Sequence, residues 1–327
     1  MRQAHCGPFS LLLLGLLLAC SPDESTGPES SPVASGSEER GTGLSVNSFL
    51  YQLQAIDLDA IAETGYDLVI IDYSSDGSEA GEYTADEIAA LQHSPGGPKI
   101  VLAYLSIGEA EDYRFYWDPA WDANRDGQPD PGGPAWLEDV NPDWEGNYKV
   151  RYWDPGWQAI LFGSSTSYLD RILAAGFDGV YLDIVDAYEY FEERGQTSAA
   201  REMADLVLRL AAYARARRPG FLVFPQNASD LADLYPDYLA ALDGIGQEDI
   251  YCGYPEEGDP SPPDFLAEVE PNLDLFVASG KTVLVTAYTT DRMQIDDHYA
   301  RAAARGYVPF ATVRGLDLLT VNPGHEP

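Results

Sequence analysis

The sequence is poor in cysteine, in histidine and above all in positive charge. Three cysteines in 327 residues, Cys6, Cys20 and Cys252, give no disulfide framework. Of the four histidines, His93, His298 and His325 are the available bases, and none stands in a cysteine-protease context. Cys252 therefore reads as a small buried apolar residue. Nineteen Lys and Arg face 54 Asp and Glu, for a formal charge of −35 and a pI near 4.1. Phosphate backbones and anionic lipids are held by basic side chains that release counterions, so nucleic acid is excluded as a partner and a cationic or neutral ligand is favoured. The apolar stretch Leu11–Ala19 is too short to span a bilayer. No GxGxxG follows the first β-rich run, which removes the dinucleotide-binding signal.

What is present is a composition able to bury a core: 45% hydrophobic residues, with 21 Tyr, 11 Phe and 6 Trp. One large domain accounts for it. Ahead of it, Arg2 and Leu11–Ala19 have the layout of an exported leader over residues 1–19. Leu17-Leu18-Ala19-Cys20 resembles the bacterial lipobox, which implies cleavage before Cys20 and acylation of its thiol. Ser21–Gly43 holds no aromatic residue and Val33 as its one large aliphatic, so residues 20–43 are expected to form a flexible tether. The expectation is an exported lipoprotein, monomeric and held at the cell surface or in the periplasm through its N-terminal lipid, with its domain at residues 44–327.

From Gly43 onward, β-rich runs alternate with helical segments, the pattern of βα units and a parallel sheet. Eight strands are predicted: Ser48–Gln54, Tyr66–Tyr73, Lys99–Ile107, Gly179–Ile184, Phe221–Pro225, Gly244–Ile250, Thr282–Tyr288 and Tyr307–Val313. DLVIIDY and KTVLVTAY are continuous apolar runs, as in strands covered on both faces. Met203, Leu206, Val207, Leu210 and Tyr213 recur at helical spacing within Ser198–Arg217. Gly65, Gly176, Gly280 and Gly306 precede strands and are predicted helix C-caps at positive φ. Eight units in this length predict an α/β fold, a (β/α)8 TIM barrel with a long aromatic-rich insertion after the third strand; a doubly wound sheet is the alternative.

Barrel enzymes build their sites at the C-terminal ends of strands. Those ends carry Gln52 and Gln54, Asp72, Ser106 and Glu109, Asp183, Gln226 and Asn227, Glu248 and Tyr288. Four carboxylates would converge there, and two flanking a sugar linkage are the minimum equipment of glycoside hydrolysis: one ionised, one protonated. Crowding supplies a means to keep one of them protonated. Between the third and fourth strands, Tyr104, Tyr113, Tyr116, Trp117, Trp121, Trp136, Trp144, Tyr152, Trp153 and Trp157 are dense enough to stack on sugar faces, to build a small core of their own, or both.

Several segments resemble glycoside hydrolase family 114, the secreted endo-α-1,4-polygalactosaminidase-like barrels: AYLSIGEAEDYRFYW at Ala103–Trp117, YKVRYWDPGW at Tyr148–Trp157, GFDGVYLDIVDAY at Gly176–Tyr188, FPQNAS at Phe224–Ser229 and DGIGQEDIYCGYP at Asp243–Pro255. The resemblance implies a retaining endo-hydrolase of galactosamine-containing polysaccharide that needs no cofactor for catalysis, with Asp183 as nucleophile and Glu248 as general acid/base. Strands 4 and 6 are second neighbours in a barrel, compatible with the roughly 5 to 5.5 Å of a retaining pair. Gln52, Asp72, Tyr104, Glu109, Trp153, Tyr181, Asn227 and Tyr288 are the candidate substrate contacts. Asp72, Glu109, Glu111 and Asp186 would suit the ammonium groups of a deacetylated polymer; Asp72 could equally be a hydrogen-bond hub, while Asp186 and Asp249 read as loop caps and Asp154-Pro155 as a helix start.

One motif lies outside that pattern. Asp122, Asn124, Asp126, Gln128 and Asp130, with Gly127 between, reproduce the opening of an EF-hand-like loop, although position 12 is Gly133 where the bidentate Glu would stand. A structural Ca²⁺ and a plain acidic turn are the two readings. For the whole chain, a non-catalytic surface glycan-binding barrel and a hydrolase of a different exopolysaccharide remain alternatives, because barrel loops alter specificity around an unchanged pair.

Overall fold

The apolar runs of the sequence become short, largely buried strands in the computed structural model, which describes residues 45–327. These belong to one unit, Thr42–Pro327; the leader, Cys20 and the tether lie outside the described residues. Eleven strands are described: β1 (Phe49–Tyr51), β2 (Leu68–Ile71), β3 (Ile100–Ser106), β4 (Glu109–Glu111), β5 (Leu137–Val140), β6 (Asn147–Val150), β7 (Gly179–Asp183), β8 (Leu222–Pro225), β9 (Gly244–Gln247), β10 (Thr282–Tyr288) and β11 (Val308–Thr312). Eight of them pair in parallel, in the order β1-β2-β3-β7-β8 and β9-β10-β11. A parallel bridge, Gln226 to Gly246, joins β8 to β9, and the Asn227 N–H donates to the Gly246 carbonyl at 2.8 Å. At the other edge Phe49 of β1 packs on Phe310 of β11, ring centroids 5.4 Å apart. The Leu53 and Gln54 amides donate to the Leu316 carbonyl beyond the strand ends, at 2.9 and 3.0 Å.

All eight predicted parallel strands are present, trimmed by one to three residues at most ends. Between successive strands run α1 (Leu58–Ala62), α2 (Ala85–Gln92), α3 (Pro155–Leu161), α4 (Tyr168–Ala175), α5 (Ala187–Glu192), α6 (Ala199–Arg217), α7 (Leu231–Leu234), α8 (Pro236–Ala241), α9 (Pro263–Ala278) and α10 (Arg292–Arg305). Helix α6 buries Met203, Leu206, Val207 and Leu210 and leaves its arginines outside, as its spacing predicts. No helix follows β11 among the described residues, so the eighth unit is a strand and a tail. Gly176 and Gly306 cap α4 and α10 in the left-handed conformation. Gly65 does not: α1 ends earlier, at Glu63, and Gly65 is kept small by the Pro327 carbonyl, which an added Cβ would meet at 2.6 Å.

Residues 107–178, between β3 and β7, hold an antiparallel sheet ordered β4-β6-β5. Trp117, Trp121, Trp136 and Trp157 form a chain of rings at 5.0–5.2 Å, with Tyr148 on Trp117 at 4.6 Å. Most of these aromatics thus bury one another, while Tyr113 and Trp144 remain about half exposed. Asp154 caps α3 by accepting from the Gly156 N–H at 2.7 Å, with Pro155 in the first turn. This is the capping role expected of it.

Candidate active site

Asp183 is the last residue of β7, in register with Ser106 at the end of β3. Its carboxylate accepts from the Tyr104 hydroxyl at 2.7 Å and from the Ile184 N–H at 2.8 Å. Ile184 has a φ of 57°, a left-handed conformation costly for a β-branched residue, and it aims that N–H back at Asp183. Gly108 allows this approach, since a Cβ there would lie 2.1 Å from the Ile184 carbonyl oxygen.

Glu248 follows β9 directly. It accepts from the Tyr288 hydroxyl of β10 at Oε1, and from the Gln226 and Asn227 amides, the latter at 3.3 Å, at Oε2. Asn227 also fixes the backbone there: its Oδ1 accepts from the Glu248 N–H at 3.1 Å and from Gln247 Nε2 at 3.0 Å. Asn227 and Ala228 are both at positive φ, as are Asp249 and Tyr251, so each chain turns sharply as it leaves its strand. Asp249, expected as a loop cap, pairs instead with Arg314 at 2.6 Å, and that guanidinium lies 4.3 Å over the Tyr288 ring.

The two carboxyls are partly open at the mouth and enclosed by protein elsewhere. Burial raises both above the ordinary carboxylate range, and the Glu248 charge pushes Asp183 further up. The Tyr288 and Asn227 hydrogen bonds act the other way on Glu248, as the Tyr104 bond does on Asp183. The two carboxyls titrate as a coupled pair, so their apparent pKa values belong to the pair. The fuller set of donors on Glu248 favours its ionised form in the unliganded protein.

Around the pair lie four buried tyrosines, Tyr51, Tyr104, Tyr181 and Tyr288, from four different strands. Asp72, at the end of β2, does not reach out freely: Arg114 binds it at 2.8 Å and Glu111 at 2.6 Å, making a buried hub that Tyr113 extends by donating to Glu111 at 2.5 Å. Burial raises Asp72 to about 6; Arg114 opposes this and Glu111 adds to it. Glu109 accepts from Asn141 at 2.8 Å and pairs with Lys149 at 3.3 Å, while its buried Oε2 has no hydrogen-bond partner among the described residues. Asp186, raised to about 6 by burial and then by the Glu109 charge, begins α5 without a side-chain capping bond. Gln52 is turned into the loop after β1, donating to the Gln54 and Ala55 carbonyls. Trp153 packs on Phe191 at 4.7 Å and lines a recess with Arg151 and Arg194. Gln226 and Arg114 carry more of the geometry than the sequence suggested. The strand-end rule marks Gln226, whereas nothing distinguishes Arg114 from a surface arginine.

In the Asp122–Asp130 loop, Asp122 Oδ1 and Asn124 Oδ1 both accept the Asp126 N–H at 3.1 Å; Asp126 accepts the Gln128 N–H and Asp130 the Ala123 N–H. The Tyr148 hydroxyl donates to Asp122 at 2.6 Å. Among the described residues, no group of three or more His, Cys, Asp or Glu is placed to hold a metal. Nor is any described helix long and apolar enough to cross a membrane.

A family model described as Glycoside-hydrolase family GH114 matches residues 30–324. The chain is 38% identical over 302 residues to an uncharacterised protein of Methanocaldococcus jannaschii, covering 87% of this chain and 82% of that one. It is 35% identical over 292 residues to an uncharacterised protein of Thermotoga maritima, covering 84% and 83%. Among solved structures it is similar to the glycoside hydrolase domain of PelA from Pseudomonas aeruginosa, with a TM-score of 0.62 and 21% identity over 85% of this chain and 99% of that one. It is also similar to Eubacterium rectale Amy13B, with a TM-score of 0.51 and 11% identity over 81% and 64%. At these identities the structural likeness is one of fold, a barrel-like α/β fold around a parallel sheet.

Proposed function

Given that the chain belongs to glycoside-hydrolase family GH114, we propose that it is a retaining endo-glycosidase of α-1,4-linked, galactosamine-containing polysaccharide, working through Asp183 and Glu248 in a closed (β/α)8 barrel. The observation that carries this reading is the pair itself: two carboxyls at the C-terminal ends of β7 and β9, each held by buried hydrogen-bond donors, Tyr104 on Asp183 and Tyr288 with Gln226 on Glu248. Asp183 attacks the anomeric carbon while Glu248 gives its proton to the leaving oxygen. Glu248 then takes a proton from the water that releases the glycosyl intermediate. In the unliganded protein the donors around Glu248 favour the proton on Asp183, so productive binding has to reverse that order. Positive charge developing at the anomeric carbon beside Asp183 favours its ionised form and leaves the proton with Glu248. Two carboxyls supply all the proton and electron-pair movement, so no cofactor is required.

Glu109 and Asp186 are the acids proposed to meet substrate ammonium groups, with Tyr104, Tyr181 and Tyr288 lining the cleft and Gln52, Asp72 and Trp153 acting at its edges. Cys20 would carry the lipid that tethers a monomeric domain to the membrane. The Asp122–Asp130 loop would take Ca²⁺ as a structural ion: millimolar CaCl₂ should raise the unfolding temperature over that in EDTA, and an unchanged temperature would leave an acidic turn closed on its own amides.

The test is incubation with partially deacetylated α-1,4-galactosamine oligomers beside oligomers of other sugars, with products read by mass spectrometry and the first-formed anomer by proton NMR. Internal cleavage of the galactosamine series with retained configuration supports the proposal. Binding without cleavage would make the barrel a glycan receptor, and cleavage of another series would change the substrate.

A further inference from the structure

Beyond the two carboxyls, we propose that Tyr51 is a positioning residue that acts through Gln226 to hold Glu248 ready to release its proton. This rests on the reading of Glu248 as acid/base. Tyr51 ends β1, several strands away from Glu248, and is 1% exposed. Its hydroxyl donates to Gln226 Oε1 at 2.9 Å. An amide has one accepting and one donating end, so a bond that fixes Oε1 toward Tyr51 fixes Nε2 toward Glu248 Oε2, where it donates. The reversed amide would put Oε1 against the carboxylate, tolerable when Glu248 is protonated and repulsive when it is ionised. Tyr51 therefore biases the amide toward the orientation that stabilises the ionised carboxyl.

Three further observations keep this relay in one state. Burial, with the Glu248 and Asp183 charges next, raises the Tyr51 hydroxyl well above its usual range, so it remains a donor throughout the working pH. The Tyr51 ring packs on Tyr181 at 5.2 Å, which sets its direction independently of the hydroxyl. Gln226 is itself 3% exposed and sits at the bridge that joins β8 to β9, so its backbone moves with Gly246, two residues before Glu248.

The experiment is the pH profile of kcat at saturating oligomer for the parent, Tyr51→Phe, Gln226→Leu and the double variant. Phenylalanine keeps the ring contact and removes the donor. The basic limb, which reports Glu248 in the substrate complex, should move to higher pH by about one unit in Tyr51→Phe, the equivalent of one hydrogen bond to a charged group. Gln226→Leu should move it similarly, and the double variant should add no more than about a quarter of a unit to that. A uniform loss of kcat with an unmoved limb would mean a packing role and overturn the proposal, as would two additive shifts. Should Tyr51→Phe not fold, the Gln226→Leu limb decides alone: an upward shift supports the relay and an unmoved limb overturns it. Failure of the underlying reading looks different, because Glu248→Gln would then retain turnover and the basic limb.

Discussion

Arg114 shows how much of the site depends on one side chain. Its Nη1 meets Asp72 and its Nε meets Glu111, with no side-chain exposure, and its guanidinium lies within 4.8 Å of the Tyr113 ring centroid and 5.4 Å of that of Tyr168. Removing it would leave two buried carboxyls facing each other. In Arg114→Met, unfolding in urea should show a loss of about 3–5 kcal/mol, since breaking a buried ion pair costs more than the pair contributes. A loss below about 1 kcal/mol would mean that Asp72 and Glu111 take up protons and re-solvate without it. Arg114→Lys should recover part of the loss, because an ammonium cannot reproduce the two-sided fork. The sequence displays Arg114 within EAEDYRFYW, but a lone arginine among acids and aromatics reads as a solvated residue. Its burial follows from the Tyr73, Tyr104, Tyr113 and Tyr168 rings gathered around its guanidinium from distant parts of the chain, which no local pattern announces.

Among the elements, β9 carries the tightest constraint. A Cβ at Gly246 would lie 1.8 Å from the Tyr181 hydroxyl oxygen, so this strand can stand beside Tyr181 only where it has no side chain. Gly246→Ala should cost about 1–3 kcal/mol, the usual range for overpacking, and Tyr181→Phe in the same chain should recover part of it by removing the colliding oxygen. If thermal unfolding shows no recovery, the cost lies in the backbone of the strand and not in this contact. The parallel strands were legible because β2 and β10 are continuous apolar runs, and the end residues Asp183, Glu248, Asn227 and Tyr288 followed from the rule that sites stand at strand ends. The predicted strand carries on to the apolar Ile250, past the polar Gln247-Glu248-Asp249, whereas β9 ends at Gln247 and Asp249 turns the backbone at positive φ. The sheet β4-β6-β5 is not legible, because EAE, LEDV and NYKV are only three or four residues long: NYKV does alternate polar and apolar residues, but over too short a stretch to mark a strand.

For the whole molecule the governing quantity is acidity, 54 acids against 19 bases. Asp72 and Asp186 are held up at about 6 and Glu189 at about 7, and burial also raises Asp183, Glu109, Asp112, Glu248 and Asp249. The folded state keeps protons on these groups that the unfolded chain releases. The stability they contribute is complete below about pH 4 and is lost as pH rises through about 6 to 7. His298, buried between the Ile250 and Val285 carbonyls and depressed to about 4, has the opposite sign and costs stability as pH falls from about 6.5 to about 4. Asp76, Glu87, Asp122, Asp237, Asp296 and Glu326, held below the usual carboxylate range chiefly by hydrogen bonds, share the sign of His298 but act below about pH 4. Above about pH 5 the eight raised carboxyls therefore dominate, and self-repulsion of the net charge adds to their trend. Calorimetry should therefore give a higher unfolding temperature at pH 5 than at pH 8, with 0.5 M NaCl raising it more at pH 8. A maximum at pH 8 would contradict this balance.

Whether Asp183 and Glu248 together perform the hydrolysis is decided by oligomer cleavage by the parent beside Asp183→Asn and Glu248→Gln at matched folding. The parent should cleave internally and each variant should lose at least about a thousandfold, about 4 kcal/mol of transition-state stabilisation, with oligomer binding retained. Turnover within tenfold of the parent in either variant would contradict a shared role for the two carboxyls.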